Sequence, residues 1–171
     1  QTTIQAGSTN GTFGTPTWYC ARALIYFPTD TLPSGKTITA AKLKLYSNGQ
    51  GADDGGSSYG QIFKVYKWDE FAPEGRITTV DFDGFDEAGT TETINIGSNT
   101  LNEWNITGDL LTDLNSNYSA ADPNEGYGFM IRNRYDYDGA SITPSSTNYA
   151  RFHSIESSNA SYHPQLEVTY E

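Results

Sequence analysis

The feature that most constrains this chain is an alternation of apolar and polar residues that returns along its whole length. Ala23, Ile25 and Phe27 share one parity in ARALIYF, as do Leu43 and Leu45 in AKLKLY and Phe63 and Val65 in QIFKVYKW. The same beat returns at Ile94 and Ile96, at Tyr127, Phe129 and Ile131, and at Leu166, Val168 and Tyr170. A strand sends successive side chains to opposite faces, so each run predicts a strand with one buried face and one wet face. LPSGK at 32–36, SNGQGADDGG at 47–56 and DPNEG at 122–126 separate the runs with residues that turn the chain. One window departs from period two. Between Trp104 and Leu114, the residues Ile106, Leu110, Leu111 and Leu114 recur at helical spacing. They predict a short helix or turn over an open end of the fold, with Gly108 working against it.

With no linker and no repeat of fixed period, the pattern predicts one domain over residues 1–171. Its fold class is all-β: an antiparallel β-sandwich, jelly-roll-like, with one short helix. A chain of 171 residues is long enough to close such a core. Its 17 glycines and 12 tyrosines suit short strands and polar turns.

Charge narrows the partners. A net charge of −11 repels nucleic-acid phosphates, so nucleic acid is not expected as a partner. No apolar run approaches the roughly 18 residues of a bilayer-spanning segment, so membrane insertion is not expected either. The lone Cys20 precludes an intrachain disulfide and reads as a small buried hydrophobe. The composition as a whole points to an extracellular protein, secreted or at the cell surface. A chain opening at Gln1 reads as a mature or excised module, and N-x-[S/T] sequons stand at Asn10, Asn105, Asn117 and Asn159.

Catalytic signatures do not emerge. There is no G-x-S-x-G, H-E-x-x-H or P-loop, and His153 and His163 are the only histidines. His163 precedes Pro164 and reads as structural. The chain is therefore expected not to be an enzyme.

The placement of charge says more than its total. Arg22, Lys42, Lys44, Lys64, Arg132 and Arg151 have the parity opposite to the core residues, and Tyr26, Tyr46, Tyr66, Trp68 and His153 share it. Outward charge is what burial costs require. Yet the 21 acids face the same constraint and fall almost wholly in loops, with Glu167 the main exception. A basic, aromatic strand face suits a hydroxyl-rich or anionic chain: Arg grips carboxylates in pairs of hydrogen bonds, and aromatic rings cover the C–H faces of sugars. The residues expected to bind carbohydrate are Arg22, Lys42, Lys44, Lys64, Tyr66, Arg132, Arg151 and His153. Parity leaves open whether they share one sheet or divide between two.

The acids form a second constellation. D-x-D-G occurs in Asp81-Phe-Asp83-Gly-Phe-Asp86-Glu87 and again in Asp136-Tyr-Asp138-Gly139, and Asp53-Asp54 lies in a glycine-rich loop. Closely spaced carboxylates in a turn can supply several calcium ligands, although neither loop has the EF-hand spacing. Asp81, Asp83 and Asp86 are the candidate ligands of a structural calcium.

Several segments resemble the DNRLRE domain, also called the disaggregatase-related repeat. They are Thr3-Ile4, Phe13-Gly14, Arg22 to Phe27, Leu32 to Leu45, and Val65-Tyr66 followed by Trp68-Asp-Glu. The likeness continues through Leu110-Leu111, Tyr127-Gly-Phe129, Phe152 to Ser158 and Pro164 to Tyr170. The insertion at 47–60 and the acidic loop at 81–87 depart from it. The resemblance implies an extracellular jelly roll found beside polysaccharide-degrading enzymes and in surface-layer or adhesion proteins, with some members binding alginate. Two expectations follow. The first is a non-catalytic carbohydrate-binding module for an acidic polysaccharide. The alternative is a self-assembling cell-surface, adhesin or filament subunit that uses strand contacts or an arm formed by residues 1–13.

Overall fold

The computed structural model describes residues 3–11, 17–29, 33–52, 62–68, 85–90, 94–119, 126–133, 136 and 148–171. Its strands are β1 (Thr3–Gly11), β2 (Thr17–Ala21), β3 (Ala23–Phe27), β4 (Ile38–Ala52), β5 (Ile62–Trp68) and β6 (Phe85–Thr90). They continue with β7 (Ile94–Asn95), β8 (Leu101–Ile106), β9 (Tyr127–Asn133), β10 (Asn148–His153) and β11 (Gln165–Tyr170). One helix, α1 (Gly108–Ser119), lies between β8 and β9, and a 3-10 turn spans Ala160–Tyr162.

The strands form two antiparallel sheets. The first runs β11-β4-β10-β1-β2, with β8 also paired to β4; the second runs β3-β9-β5-β6, with β7 also paired to β5. The pairings nest: β5 meets β6 and β7, β4 meets β8, β3 meets β9, and β1 meets β10. A two-stranded ribbon rolled upon itself produces this order, which makes the sandwich a jelly roll. The chain passes between sheets at Arg22, the one residue between β2 and β3. Along β4, partners run from Asn148 opposite Ala52 to Tyr170 opposite Ile38, so β10 and β11 succeed one another on it.

The alternation in the sequence has its cause in the core. Ala41, Leu43 and Leu45 of β4, Trp104 and Ile106 of β8, and Ala150 and Phe152 of β10 point from the first sheet into one apolar cluster. Ala23 and Ile25, Phe63 and Val65, and Tyr127, Phe129 and Ile131 meet them from the second. Trp104 joins the layers: its indole N–H donates to the Phe63 carbonyl at 3.4 Å, and its ring meets Phe152 edge-on with centroids 6.2 Å apart. Each large side chain buried there contributes about 1.5–3 kcal/mol by leaving water. Tyr170, expected to share the inward parity of Leu166 and Val168, is 44% exposed because β4 and β11 change register between Thr169 and Tyr170.

The helical window differs from expectation in its start. Trp104 and Ile106 belong to β8, where Asn102, Trp104 and Ile106 are buried and their neighbours exposed. The helix begins at Gly108, whose φ of 58° lies in the left-handed region that favours glycine. Gly108 therefore makes the joint between strand and helix possible. Leu110 and Leu114 enter the core, while polar residues fasten α1 to the sandwich. The Ile38 N–H donates to Asn115 Oδ1 at 2.9 Å. The Tyr127 hydroxyl donates to one Asp113 oxygen at 2.9 Å, and Lys67 Nζ lies 3.1 Å from the other.

Two buried polar residues close the opposite end of β4. The Ser47 hydroxyl donates to the Gly97 carbonyl at 2.6 Å and accepts from the Thr100 N–H at 3.0 Å. Asn102 Oδ1 accepts from the Gly97 N–H at 3.0 Å. Asn99 carries a positive φ of 52° in the turn they secure. Burying such groups is tolerable because each is bonded to a main chain that turns away from the sheets.

Candidate functional site

The residues expected to form one basic face divide between the two outer surfaces of the sandwich. Arg22 stands at the crossing, and Lys64, Tyr66 and Arg132 lie on the outer side of the second sheet, where Lys64 is opposite Arg132 and Tyr66 opposite Met130. Lys42 and Lys44 of β4 and Arg151 and His153 of β10 lie on the outer side of the first. The two sets therefore do not converge.

The second sheet's set is largely structural. Every residue of β9 is buried, so this sheet is covered on both faces, and Tyr66, Trp68 and Met130 form a second small apolar cluster with Leu24 against it. Gly128 makes room for the indole of Trp68: a Cβ there would stand 3.0 Å from Trp68 Cε3. The Arg132 guanidinium lies 4.9 Å from the centre of the Tyr66 ring.

Arg22 and Arg132 share a carboxylate. Arg22 Nε and Nη2 each donate to Asp136 at 2.8 Å, and Arg132 Nε donates to it at 3.0 Å. The Arg132 Nη2 also reaches the Asp136 carbonyl at 3.0 Å, while the Asp136 N–H donates to Asn133 Oδ1 at 3.0 Å. Burial alone would push the Asp136 carboxyl up, but hydrogen bonds from Arg22 and then Arg132 outweigh it and hold the carboxyl below its ordinary range. Arg22 and Arg132, expected outward as sugar ligands, and Asp136, expected in an acidic loop, form one buried ionic cluster. Sequence parity could not reveal this, because the three residues meet only when β3 and β9 pair.

The first sheet's outer face is the more open. Lys42 Nζ lies 3.3 Å from Glu103, and Lys44 Nζ lies 3.4 Å from Glu103 and 2.5 Å from Glu167. The hydrogen bond to Glu167 holds the Lys44 ammonium above its ordinary pKa despite opposing desolvation, and the same bond lowers Glu167. These pairs are wet and add little stability. They do balance much of the positive charge, and Glu103 joins Glu167 as an acid on a strand.

Beyond them lies an aromatic cluster. Tyr46 stacks on Tyr162 with centroids 4.0 Å apart and planes 23° apart, while His153 stands 6.0 Å from Tyr46 and 4.8 Å from Tyr162. Desolvation first, then the neighbouring Tyr162, pushes the Tyr46 hydroxyl pKa up. That hydroxyl donates to the Asn99 carbonyl at 2.9 Å. On the same face, the exposed Arg151 lies over the half-buried Tyr149 ring, 4.8 Å from its centre.

Tyr162 was missed at the sequence level because it belongs to no strand. The segment between β10 and β11 delivers it. Asn159 Oδ1 accepts from the Ser161 N–H at 3.1 Å, and His163 Nε2 lies 2.8 Å from the Ser157 carbonyl. His163 is thus structural, as expected. Its neighbours Asn159-Ala-Ser and Pro164 were the only local signs of an ordered turn.

The calcium candidates fall mostly elsewhere. Asp81 and Asp83 lie outside the described residues, as does Asp138; Asp86 belongs to β6, with its backbone opposite Lys67. Among the described residues, no group of three His, Cys, Asp or Glu side chains is arranged to hold a metal, and no helix is long and apolar enough to cross a membrane. The chain matches no known family model and no curated protein.

Proposed function

We propose that the chain is a non-catalytic extracellular carbohydrate-binding module, similar to DNRLRE domains, that holds an acidic polysaccharide on the outer face of its first sheet. One observation carries the reading: Tyr46, His153 and Tyr162 gather on the sheet face that also presents Arg151 and Lys44. Aromatic rings at such a site cover the apolar side of a sugar, and a guanidinium beside them engages a carboxylate. Lys42 and Lys44 already face Glu103 and Glu167, so an anionic ligand there competes with protein carboxylates. Arg151 is the cation on which the reading places most weight. A structural calcium in the 81–87 loop is part of the proposal, with Asp81, Asp83 and Asp86 as its ligands.

Affinity electrophoresis through acidic and neutral polysaccharides, with calcium or with a chelator, tests both parts. Retardation by an acidic polysaccharide, weakened in Tyr162→Ala and Arg151→Ala, supports the reading. Unchanged mobility in every gel overturns it.

A second reading is a self-assembling cell-surface, adhesin or filament subunit. What favours it is the position of β1, which lies inside the first sheet between β10 and β2 although it is the first strand of the chain.

A further inference from the structure

We infer that β1 is exchangeable between copies, the slot between β10 and β2 of one molecule accepting residues 3–11 of another. The inference rests on the assembly reading and gives it a mechanism. Terminal strands are usually dispensable edges, whereas this one completes a sheet from within. It faces β10 from Thr3 opposite His153 to Ser8 opposite Asn148, and β2 from Gly7 opposite Ala21 to Gly11 opposite Thr17. Removing it would expose the ladder edges of β10 and β2 together, which is a template for another strand.

The seat of β1 is also generic in its demands. Its sequence, TIQAGSTNG, contains only Ile4 and Ala6 as apolar residues, and both pack on the core opposite Phe152 and Ala150. The remaining hold is main-chain pairing, which a second copy supplies in identical form. Exchange therefore replaces every contact by its equal. The balance is set by concentration and by the five residues 12–16 that join β1 to β2. As the first strand, β1 can leave without threading any other segment. Each molecule then has one strand to give and one slot to fill, so reciprocal exchange closes a dimer and sequential exchange builds a head-to-tail fibre.

Ala6 and Ala150 face each other in the ladder and are fully buried, which makes them the reporters. The full chain carrying Ala6→Cys and Ala150→Cys, with Cys20→Ser to remove the native thiol, is concentrated, oxidised and run without reductant. Exchange predicts covalent dimers or a ladder that grows with concentration. Oligomers of the unmodified protein by sedimentation, with only internally cross-linked monomers in the gel, overturn exchange and leave assembly by another surface. Monomers in both measurements overturn exchange and assembly together. If the cysteine variant does not fold, a labelled peptide of residues 1–13 incubated with the unmodified full chain decides. Saturable incorporation displaced by unlabelled peptide supports exchange, and absence of incorporation overturns it.

Discussion

Arg22 and Asp136, separated by 114 positions in the chain, meet through two parallel hydrogen bonds of 2.8 Å. The contact sits where the chain leaves the first sheet for the second, so it fixes the crossing as well as pairing a charge. Arg132 approaches the same carboxylate from β9. The side chains of Arg22, Arg132 and Asp136 are 9%, 6% and 7% exposed, respectively. Replacing Asp136 by Ala leaves two adjacent guanidiniums without their shared counter-charge. The expected loss is about 3–5 kcal/mol of unfolding free energy. A denaturant titration reads it as an earlier midpoint, and a midpoint equal to that of the parent refutes the structural role.

The same carboxylate sets an acid limit. Its folded-state pKa lies below the ordinary 3.8, so its contribution is complete above that value. As pH falls, the unfolded chain takes up the proton first, and the contribution is lost through the lower folded-state pKa. Melting temperature should therefore fall more steeply below about pH 4 in the parent than in Asp136→Asn. Parallel curves would assign acid sensitivity to other groups.

Gly108 offers a test of backbone conformation alone. A Cβ at this position meets nothing within 4 Å, yet φ is positive. Gly108→Ala should cost about 1–2 kcal/mol through the left-handed conformation. Thermal unfolding measures it, and a neutral result would mean that the joint before α1 relaxes without penalty.

The division of the basic residues predicts sidedness. Arg151→Ala and Tyr162→Ala should each weaken polysaccharide retention by roughly tenfold, or about 1.4 kcal/mol. Lys64→Ala, on the other sheet, should leave retention unchanged. Equal losses from Lys64→Ala and Arg151→Ala would remove the first sheet's outer face as the binding surface.

The sequons also separate by position. Asn159 is exposed in the turn before β11, whereas Asn117 lies on α1 with its side-chain oxygen buried. Secreted from a eukaryotic cell, the chain should carry an N-linked glycan at Asn159 and none at Asn117. Peptide mass mapping distinguishes them, and the reverse pattern contradicts this assignment.

Strand parity made much of the fold legible because burial acts on alternate residues directly. Leu43 and Leu45, Phe63 and Val65, and Phe129 and Ile131 all point where period two places them. Parity was silent on partnership. It set Arg22, Arg132 and Lys44 outward without distinguishing a covered face from an open one, and that distinction depends on which strands pair. At Ile106 and Leu110, an inward strand residue followed four positions later by an inward helix residue imitated one helical stripe. Tyr162 carried no periodic signal at all, since a short turn, rather than a strand, holds it over Tyr46.

The nested order of the pairings has a consequence for the birth of the molecule. A strand near the start of the chain waits for a partner near its end, so β1 emerges from the ribosome long before β10 has been translated. Pairings so distant in sequence close slowly because chain entropy must be lost before they gain contacts. During that interval the earliest segment is unsheltered and depends on its surroundings. The architecture that gives the finished protein a tightly wound core gives the nascent one a prolonged vulnerability.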